Sequence, residues 1–254
     1  MITAQDQDLK TLGCEVPLDD PAGWWMSEKL DGVRARWDGQ RLMTRTGRPI
    51  NCPARFTADL PPSSVEGELW GGRGTFQSTS GIVGRREPGL GFDWDGIMFM
   101  LFDRPHVKTT FAQRLAWLNS HVPASQDGCV AVIKQEICTG WAHLHRFLAN
   151  ILGASGEGIM LRSQHGQEII KVKPVRDLDA EVIGYTQGRG RNSGRVGAIV
   201  ARLANGLHFK IGTGLSDSDR NAPPPIGVMI KVAFDSLTQR GVPRFPRYLG
   251  ARVD

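Results

Sequence analysis

The sequence predicts an α+β protein in which residues 1–175 mix strands and helices and residues 176–254 form a small all-β barrel. Two observations support this division. Spacing typical of helices and apolar runs typical of strands alternate through the first region, whereas only short runs between turns follow it. The charge balance also changes there, because residues from Val175 onward contain 12 Lys and Arg against 7 Asp and Glu, whereas the 174 residues before them balance at 19 against 19.

The strands of the first region are predicted from apolar or alternating runs that turn residues bound. These runs are Arg34–Met43 (two strands around an Asp-Gly turn), Ile97–Phe102, Glu157–Leu161 and Glu168–Lys173. Helical spacing covers Phe111–Ser120 and Trp141–Leu152, and Gly153 is a plausible helix stop. The first region is therefore expected to combine sheets with at least two amphipathic helices.

The second region predicts a barrel because its apolar runs are short and closely spaced. They include Glu181–Thr186, Val196–Leu203, Leu207–Ile211 and Val228–Phe234. The Asn205-Gly206 pair is a strong hairpin signal between two of them. Five strands in fewer than 80 residues make an OB-fold the economical choice.

The positive charge of the second region indicates a polyanionic partner. Ten of its twelve cations are arginine, whose planar guanidinium suits phosphate oxygens. A glycine-rich loop, Gly188–Arg195, carries three of them, Arg189, Arg191 and Arg195. This loop is either a contact to a nucleic-acid backbone or a mobile polar loop, and the charge excess could also serve solubility.

The bulk properties favour a reduced compartment and no membrane. The longest apolar run, Ile97–Phe102, has the length of a strand, and the first residues are polar and acidic, so no export signal is visible. The four cysteines form no CxxC pair. A zinc cluster of Cys138, His143 and His145 fits no standard spacing. We expect a cytoplasmic protein, or a periplasmic one if an export signal was removed.

The segment Lys29-Leu30-Asp31-Gly32-Val33-Arg34 is the most informative part of the chain. Three clusters follow it in order: Glu66–Leu69, Glu157–Arg162 and Lys171–Lys173. A lysine followed by spaced acidic and basic clusters is what covalent nucleotidyl transfer requires. Lys29 is the candidate nucleophile, and burial or nearby cations must lower its pKa because only the unprotonated amine attacks.

The companion residues suit the handling of a triphosphate. Glu66, Glu68 and Glu157 are flanked by glycine, which lets the backbone approach a ligand, and carboxylates in such sites hold a divalent metal or a ribose hydroxyl. Lys171 and Lys173 alternate on one strand and are expected on the same face. Phe102 ends an apolar strand, where core packing is commoner than stacking on a base.

With these residues assembled, the chain resembles the ATP-dependent DNA ligases, within the covalent nucleotidyltransferase superfamily, and most of all their minimal bacterial E type. The resemblance runs from about Trp25 to Asp254. It implies a nucleotidyltransferase (adenylation) domain of antiparallel sheets and helices, followed by an OB-fold β-barrel. It also implies ATP with Mg²⁺ or Mn²⁺ as cofactors, nicked double-stranded DNA as partner, and a monomer. Lys29 would take AMP and pass it to a 5′-phosphate before a 3′-hydroxyl closes the strand.

The resemblance assigns roles residue by residue. The implied catalytic residues are Lys29, Asp31, Arg34, Lys171 and Lys173. The implied nucleotide site consists of Glu28, Lys29, Leu30, Arg34, Arg45, Glu68, Phe102, Glu157, Met160, Lys171 and Lys173, with Glu68 and Glu157 also serving the metal. The implied DNA contacts are Arg45, Arg73, Arg189, Arg191 and Arg195. The last family motif ends at Asp254 without its usual basic residue, which leaves the roles of Arg252 and Asp254 open.

Three other interpretations remain as alternatives, and an NAD-dependent ligase is not expected. A capping guanylyltransferase shares the lysine motif but takes GTP, and an RNA ligase usually lacks a C-terminal OB domain. An NAD-dependent ligase needs an extra N-terminal module and a cysteine-rich zinc element. An inactive nucleic-acid-binding protein would keep the barrel without an intact lysine and carboxylate set.

Overall fold

The structure, a computed structural model, describes residue 14 and residues 16–85, 94–122 and 128–252. The chain divides after Pro174 into two compact units, the second of which begins at Val175. Both sheets and helices are present, so the predicted α+β class is confirmed. Among the described residues, no helix is long and apolar enough to cross a membrane.

The first unit contains a five-stranded sheet in the order β3-β2-β4-β5-β6. Its strands are β2 (Val33–Trp37), β3 (Leu42–Thr44), β4 (Val65–Trp70), β5 (Met98–Asp103) and β6 (Val130–Val132). Neighbouring strands are antiparallel except β5 and β6, which are parallel. The predicted Asp-Gly hairpin joins β2 to β3, as expected from its alternating sequence.

A second sheet of the first unit has the order β7-β1-β8-β9 and is antiparallel throughout. Its strands are β1 (Trp25–Glu28), β7 (Gln135–Ile137), β8 (Ile159–Arg162) and β9 (Ile169–Val172). The two predicted strands around Gly166 are β8 and β9. This sheet places the C-terminal end of β1, just before Lys29, beside the start of β8.

Helices cover one face of each sheet. They are α1 (Arg55–Ala58), α2 (Phe76–Val83), α3 (Phe111–His121) and α4 (Trp141–Gly153). Leu144 and Leu148 of α4 are buried in the same core as Met26, Ile159 and Leu161 of the four-stranded sheet. Phe99 and Leu101 of β5 lie in a second core together with Leu118 of α3 and Phe56 of α1. Both predicted helices are confirmed, and α4 includes Gly153 as its last residue.

The period-two alternation of β4 and β5 determines what faces away from the core. Val65 and Leu69 of β4 are buried, so Glu66 and Glu68 lie on the opposite face. In β5, Phe99 and Leu101 are buried, and Phe102 therefore lies on the same open face as the two glutamates. The helix-covered core thus leaves one sheet face available for chemistry.

The second unit contains a five-stranded antiparallel sheet in the order β12-β11-β10-β13-β16. Its strands are β10 (Arg176–Gln187), β11 (Val196–Arg202), β12 (His208–Ile211), β13 (Met229–Phe234) and β16 (Arg247–Ala251). The short helix α5 (Asp217–Asn221) follows β12, and β14 (Ser236–Leu237) pairs with β15 (Pro243–Arg244).

The sheet of the second unit curls until its outer strands meet. Thr213, just after β12, forms a parallel bridge with Arg247 at the start of β16, and the Tyr248 amide donates to the Thr213 carbonyl at 3.0 Å. A register shift next to Gly184 bends the long strand β10, which pairs with both β11 and β13. Five strands closed in this way form the predicted OB-fold barrel.

Candidate functional site

Lys29 lies directly after β1, where three segments of the first unit meet. Its backbone amide donates to the Gly158 carbonyl at 2.8 Å. Gly158 has φ +152°, and a Cβ there would lie 2.2 Å from the Val172 carbonyl. Only glycine therefore allows the segment before β8 to pass between the end of β1 and the end of β9.

The Lys29 side chain is paired with Glu157. Its Nζ lies 2.5 Å from Glu157 Oε2, and each side chain is 19% exposed. The other oxygen of this carboxylate, Oε1, accepts a hydrogen bond from Lys173 Nζ at 3.2 Å. The sequence predicted cations around Lys29, but the charged group that the structure brings into contact with it is a carboxylate that two lysines share.

Lys171 and Met160 were also predicted in this site. They are direct neighbours across β8 and β9, and Lys171 is exposed. Lys173 follows the last residue of β9 and reaches Glu157. The structure therefore assembles Lys29, Glu157 and Lys173 into one cluster and leaves Lys171 beside it on the strand.

Glu68 is held next to the Asp31-Gly32 turn. A Cβ on Gly32 would lie 2.4 Å from the Leu69 carbonyl, so this turn packs directly on the strand that carries Glu68. Burial raises the pKa of Glu68 to about 7, although the charges of Lys29 and Arg34 and a hydrogen bond from the Gly32 backbone oppose the shift. Leu30 and Asp31 are partly exposed in the same turn.

The glycines beside these glutamates serve the packing of the protein itself. A Cβ on Gly67 would lie 2.5 Å from the Met100 carbonyl of the neighbouring strand. A Cβ on Gly158 would meet Val172. The sequence interpreted both glycines as allowing close approach of a ligand, whereas the groups that approach them are protein strands.

Arg34, Glu66 and Phe102 form the next group along the open face. Arg34 Nη2 lies 2.5 Å from Glu66 Oε2, and its guanidinium carbon lies 5.5 Å from the centre of the Phe102 ring. All three line a cleft of about 840 Å³, together with Arg162, His165 and Ile169. Phe102 is thus a wall of the cleft rather than part of the core.

Arg45 borders a smaller pocket on the other side of Arg34. This pocket has a volume of about 160 Å³ and is lined by Arg34, Arg36, Arg45, Glu66 and His106 among others. Arg45 itself is exposed. Three arginines around one small pocket make it a suitable site for an anionic group.

Arg73 forms hydrogen bonds to two residues of the first unit. Its Nε and Nη2 atoms donate to Glu28 Oε1 and Oε2 at 2.8 and 2.9 Å. Its Nη1 atom donates to the Ala154 carbonyl at 3.1 Å. The sequence had predicted a DNA contact for Arg73 and a nucleotide contact for Glu28, but the structure pairs these two residues with each other.

Sequence reasoning missed the buried ionic cluster behind Phe102. The Asp103 carboxylate, 4% exposed, lies 2.7 Å from Arg114 Nε and 3.0 Å from Arg162 Nη1. It links β5 to α3 and to β8, and therefore joins the two sheets. The alternation of β5 carried a signal for it, because Asp103 follows buried Phe99 and Leu101 at the same spacing.

In the second unit, the arginine loop is compact. The Gly188 amide donates to the Arg195 carbonyl at 2.9 Å, and a short 3₁₀ turn covers Gly190–Asn192. Arg195 pairs with Asp217 at 3.2 Å and with the Arg191 carbonyl at 3.1 Å, whereas the Arg189 and Arg191 side chains are exposed. The loop therefore presents two of its three arginines to solvent.

Two further points from the sequence concern the last family motif, with Arg252 and Asp254, and a zinc cluster at Cys138 and His143. Arg252 pairs with Asp179 at 2.5 Å, and Asp254 lies outside the described residues. His143 bonds Glu136 at 3.0 Å instead of forming a zinc site with Cys138. No group of three or more His, Cys, Asp or Glu residues able to hold a metal occurs in the described part of the chain.

Comparison with known proteins gives consistent matches. Residues 187–252 match the family model of the DNA ligase OB-like domain. The DNA ligase of Haemophilus influenzae is 34% identical over 233 residues, which cover 89% of this chain and 85% of that protein. A probable DNA ligase of Rhodococcus opacus is 35% identical over 111 residues, covering 41% of this chain and 20% of that protein.

Solved structures match along nearly the whole chain. A Lig E DNA ligase, described as binding DNA with a minimal scaffold, is 36% identical and superposes with a TM-score of 0.85 over 92% of this chain and 94% of that one. The Chlorella virus DNA ligase-adenylate shares the fold at 21% identity and a TM-score of 0.50, covering 91% and 92% of the two chains. The predicted fold class is confirmed.

Proposed function

The chain belongs to the DNA ligase family, and we propose that it uses ATP to seal nicks between a 5′-phosphate and a 3′-hydroxyl in duplex DNA, with Lys29 as the residue that carries AMP. The single observation that supports this role most strongly is the contact of Lys29 Nζ with Glu157, whose carboxylate also binds Lys173. A nucleophilic amine beside a proton acceptor and a second cation suits attack on a phosphate.

The first step follows from this arrangement. The amine of Lys29 attacks the α-phosphorus of ATP, a nitrogen–phosphorus bond forms, and pyrophosphate leaves with the electrons of the broken bond. Only the unprotonated amine has the electron pair for this attack, and Glu157 Oε2 lies at hydrogen-bond distance to take the proton. Lys173, with the exposed Lys171 nearby, stabilises the charge that develops on the phosphate oxygens.

The nucleotide is expected to extend from the cleft lined by Phe102 and Arg34 to the amine of Lys29. Phe102 would stack on the adenine, and Arg34, which lies above the same ring, would reach the sugar or phosphate. Glu28, Leu30 and Met160 would complete the walls near the amine. The base would then be sandwiched between the open faces of the two sheets.

The carboxylates of this site fit a divalent cation such as Mg²⁺ or Mn²⁺. Glu68 has a raised pKa because burial disfavours its charged form, and a hard cation would stabilise that form. Two carboxylates, Glu68 and Glu157, match the preference of Mg²⁺ for few protein ligands completed by substrate phosphates. When bound, the metal would neutralise the negative charge of the triphosphate.

The remaining steps use the same residues on DNA. AMP passes from Lys29 to the 5′-phosphate at the nick, and the 3′-hydroxyl then displaces AMP and closes the strand. Asp31, in the turn that follows Lys29, would align that hydroxyl, and Arg45 would hold the nick phosphate in its arginine-lined pocket. Arg189 and Arg191, exposed on the loop of the second unit, would bind the phosphate backbone.

We further propose that the protein acts as a monomer in the cytoplasm. All four cysteines lie among the described residues and none forms a disulfide, which suits a reduced compartment. Sedimentation of the protein with and without a nicked duplex gives its mass directly. A dimer at working concentration would contradict the first part of this proposal.

A sealing assay tests the proposed reaction. A duplex with a single 5′-phosphorylated nick and a fluorescent label is incubated with ATP and Mg²⁺, and the product is separated on a denaturing gel. We expect sealing with ATP and none with NAD or GTP. Sealing only of nicks in RNA, or only with another nucleotide, would contradict the proposal.

A further inference from the structure

From the Glu28–Arg73 pair, and resting on the proposed function, we infer that Arg73 is a positioning residue for the attack by Lys29 and that it acts through Glu28 and the Ala154 carbonyl. Arg73 uses three of its donors on these two partners. Glu28 directly precedes Lys29 in the chain, and Ala154 lies three residues before Glu157. The guanidinium therefore connects the two segments whose side chains form the Lys29–Glu157 pair.

The segment that carries Arg73 is shaped to present it. Gly72 and Gly74, on either side of Arg73, have φ of +103° and +74°. The Thr75 hydroxyl donates to the Gly72 carbonyl at 2.8 Å and also contacts Thr79 at 3.2 Å. This loop between β4 and α2 is thus folded by its own hydrogen bonds, so the arginine is directed by a defined backbone.

The segment that Arg73 contacts, residues 154–156, also has a defined backbone. Ala154 caps the C-terminal end of α4, where unpaired carbonyls attract cations, and Ser155 has φ +63°, unusual for a residue other than glycine. A Cβ on Gly156 would lie 3.0 Å from Glu28 Oε1 and 2.5 Å from the Ile151 side chain. Glycine at 156 therefore leaves room for the Glu28 carboxylate that Arg73 binds.

The geometry of the Arg73–Glu28 pair indicates a fixed bidentate contact rather than a general electrostatic attraction. Both oxygens of Glu28 accept from different nitrogens of Arg73, which fixes the orientation of the two planar groups. The Glu28 side chain is 18% exposed and that of Arg73 34% exposed, so the pair is partly shielded from solvent. An error of about 1 Å in the placement of a reacting group can cost a large factor in rate.

If Arg73 instead contacts DNA directly, its loss should leave adenylylation of Lys29 unchanged, because that step needs no DNA. We would prepare Arg73→Gln, Arg73→Lys, Glu28→Gln and the double variant Arg73→Gln/Glu28→Gln. Arg55→Gln is the matched control, since Arg55 forms an ion pair at 2.7 Å with Asp95 on the exposed surface of the same unit. Thermal unfolding of each variant verifies folding.

Two reaction rates distinguish a positioning role of Arg73 from a direct DNA contact. The first is the rate of AMP transfer to the protein without DNA, measured against ATP concentration, and the second is the rate of closing a nick that already carries AMP. The second reaction needs no amine on Lys29. For the Arg73 variants, a positioning role lowers the first rate at saturating ATP, by about tenfold or more, and leaves the second at the wild-type value.

The expected pattern is specific. Arg73→Gln slows adenylylation at least as much as Glu28→Gln, because it also loses the contact to Ala154. The double variant is no slower than the slower single variant, and Arg73→Lys restores only part of the rate. Normal adenylylation in Arg73→Gln with slow closing of the AMP-bearing nick would overturn the inference in favour of a DNA contact. Multiplying effects in the double variant would also overturn it. If Arg73→Gln does not fold, Arg73→Lys and Glu28→Gln decide between these results. A wild-type protein that neither takes up AMP nor already carries it would instead refute the proposed function.

Discussion

The Nζ atom of Lys29 and the Oε2 atom of Glu157 lie 2.5 Å apart, and the second oxygen of this carboxylate binds Lys173. Glu157 therefore lies between the charges of two lysines that are both assigned to the proposed phosphate site. The same carboxylate is available as a proton acceptor and as a metal ligand. Much of the proposed chemistry depends on this one side chain.

Replacing Glu157 by glutamine should strongly impair adenylylation. Glutamine keeps the shape but removes the charge that holds Lys29 and Lys173 together, and it is a poor proton acceptor. We expect the rate of AMP transfer to the protein to fall by about 100-fold. The rate is measured by intact-protein mass over a titration of Mg²⁺. Near-normal rates at every Mg²⁺ concentration would show that Glu157 has no part in the step.

The raised pKa of Glu68 predicts a pH dependence of stability. The carboxyl ionises near 4.5 in the unfolded chain but only near 7 in the folded protein. Between these values the unfolded state has already released the proton that the folded state still holds, so rising pH favours unfolding through this window. Below pH 4.5 the group has no effect, and above pH 7 its penalty is complete.

Glu68→Gln removes this penalty. We expect the melting temperature of the variant, relative to the wild type, to increase from pH 5 to pH 8 in a buffer with EDTA. Differential scanning fluorimetry of both proteins across this range is sufficient. A constant difference between them at all pH values would contradict the raised pKa.

Asp103→Asn should destabilise the first unit. The substitution leaves Arg114 and Arg162, which are largely buried, without the carboxylate that compensates both charges. Loss of one member of a buried ionic cluster costs about 3 to 5 kcal/mol. All seven tryptophans precede residue 175, so urea unfolding followed by tryptophan fluorescence reports on this unit.

Asp95→Asn is the matched control for this measurement. Asp95 pairs with Arg55, but its side chain is 70% exposed. We expect its loss to change the free energy of unfolding by less than about 1 kcal/mol. Equal effects of the two substitutions would mean that Asp103 is not the link between the sheets that the geometry indicates.

The arginine loop of the second unit should contribute to DNA affinity through Arg189 and Arg191. Changing both to glutamine should weaken binding to a nicked duplex and reduce the slope of log K against log salt by about 2. Arg195→Gln should have a smaller effect on the slope, because its side chain is already paired with Asp217. Binding is measured by fluorescence anisotropy at several salt concentrations, with DNA-free adenylylation unchanged.

Lys210→Gln combined with Arg240→Gln provides the comparison for this loop. Both residues are exposed in the same unit, and their loss changes the net charge equally. We expect a smaller change of slope than for the loop variant. If both pairs reduce the slope alike, the positive charge of this unit acts as a general surface property and the loop is not a specific contact.

The sequence predicted the parts of the fold that local patterns encode. The Asp-Gly hairpin of β2 and β3, the helices α3 and α4, and strands β10 to β13 of the barrel follow from alternation, helical spacing and turn residues. Strands β1 and β7 were not predicted. They are short and are defined by partners more than 100 positions apart, such as Trp25 with Ile137.

The site was predictable only in part for the same reason. Lys29, Glu68, Glu157 and Lys173 could be named from their spacing and from the family resemblance. The pairing of Arg73 with Glu28 could not be predicted, because the two residues are 45 positions apart and both types of residue have many possible partners. Gly67 and Gly158 were assigned to the approach of a ligand, whereas the atoms next to their Cα positions belong to neighbouring strands.

The central claim, that Lys29 carries AMP, is tested most directly by the intact mass of the protein after incubation with Mg²⁺ and ATP, GTP or NAD in parallel. Lys29→Ala removes the amine, and Lys29→Arg keeps a cation beside Glu157 without a usable nucleophile. We predict a gain of one AMP from ATP alone in the wild type and no gain in either variant. An AMP adduct that persists in both variants, or a wild-type protein that neither gains AMP nor already carries it, would contradict the account.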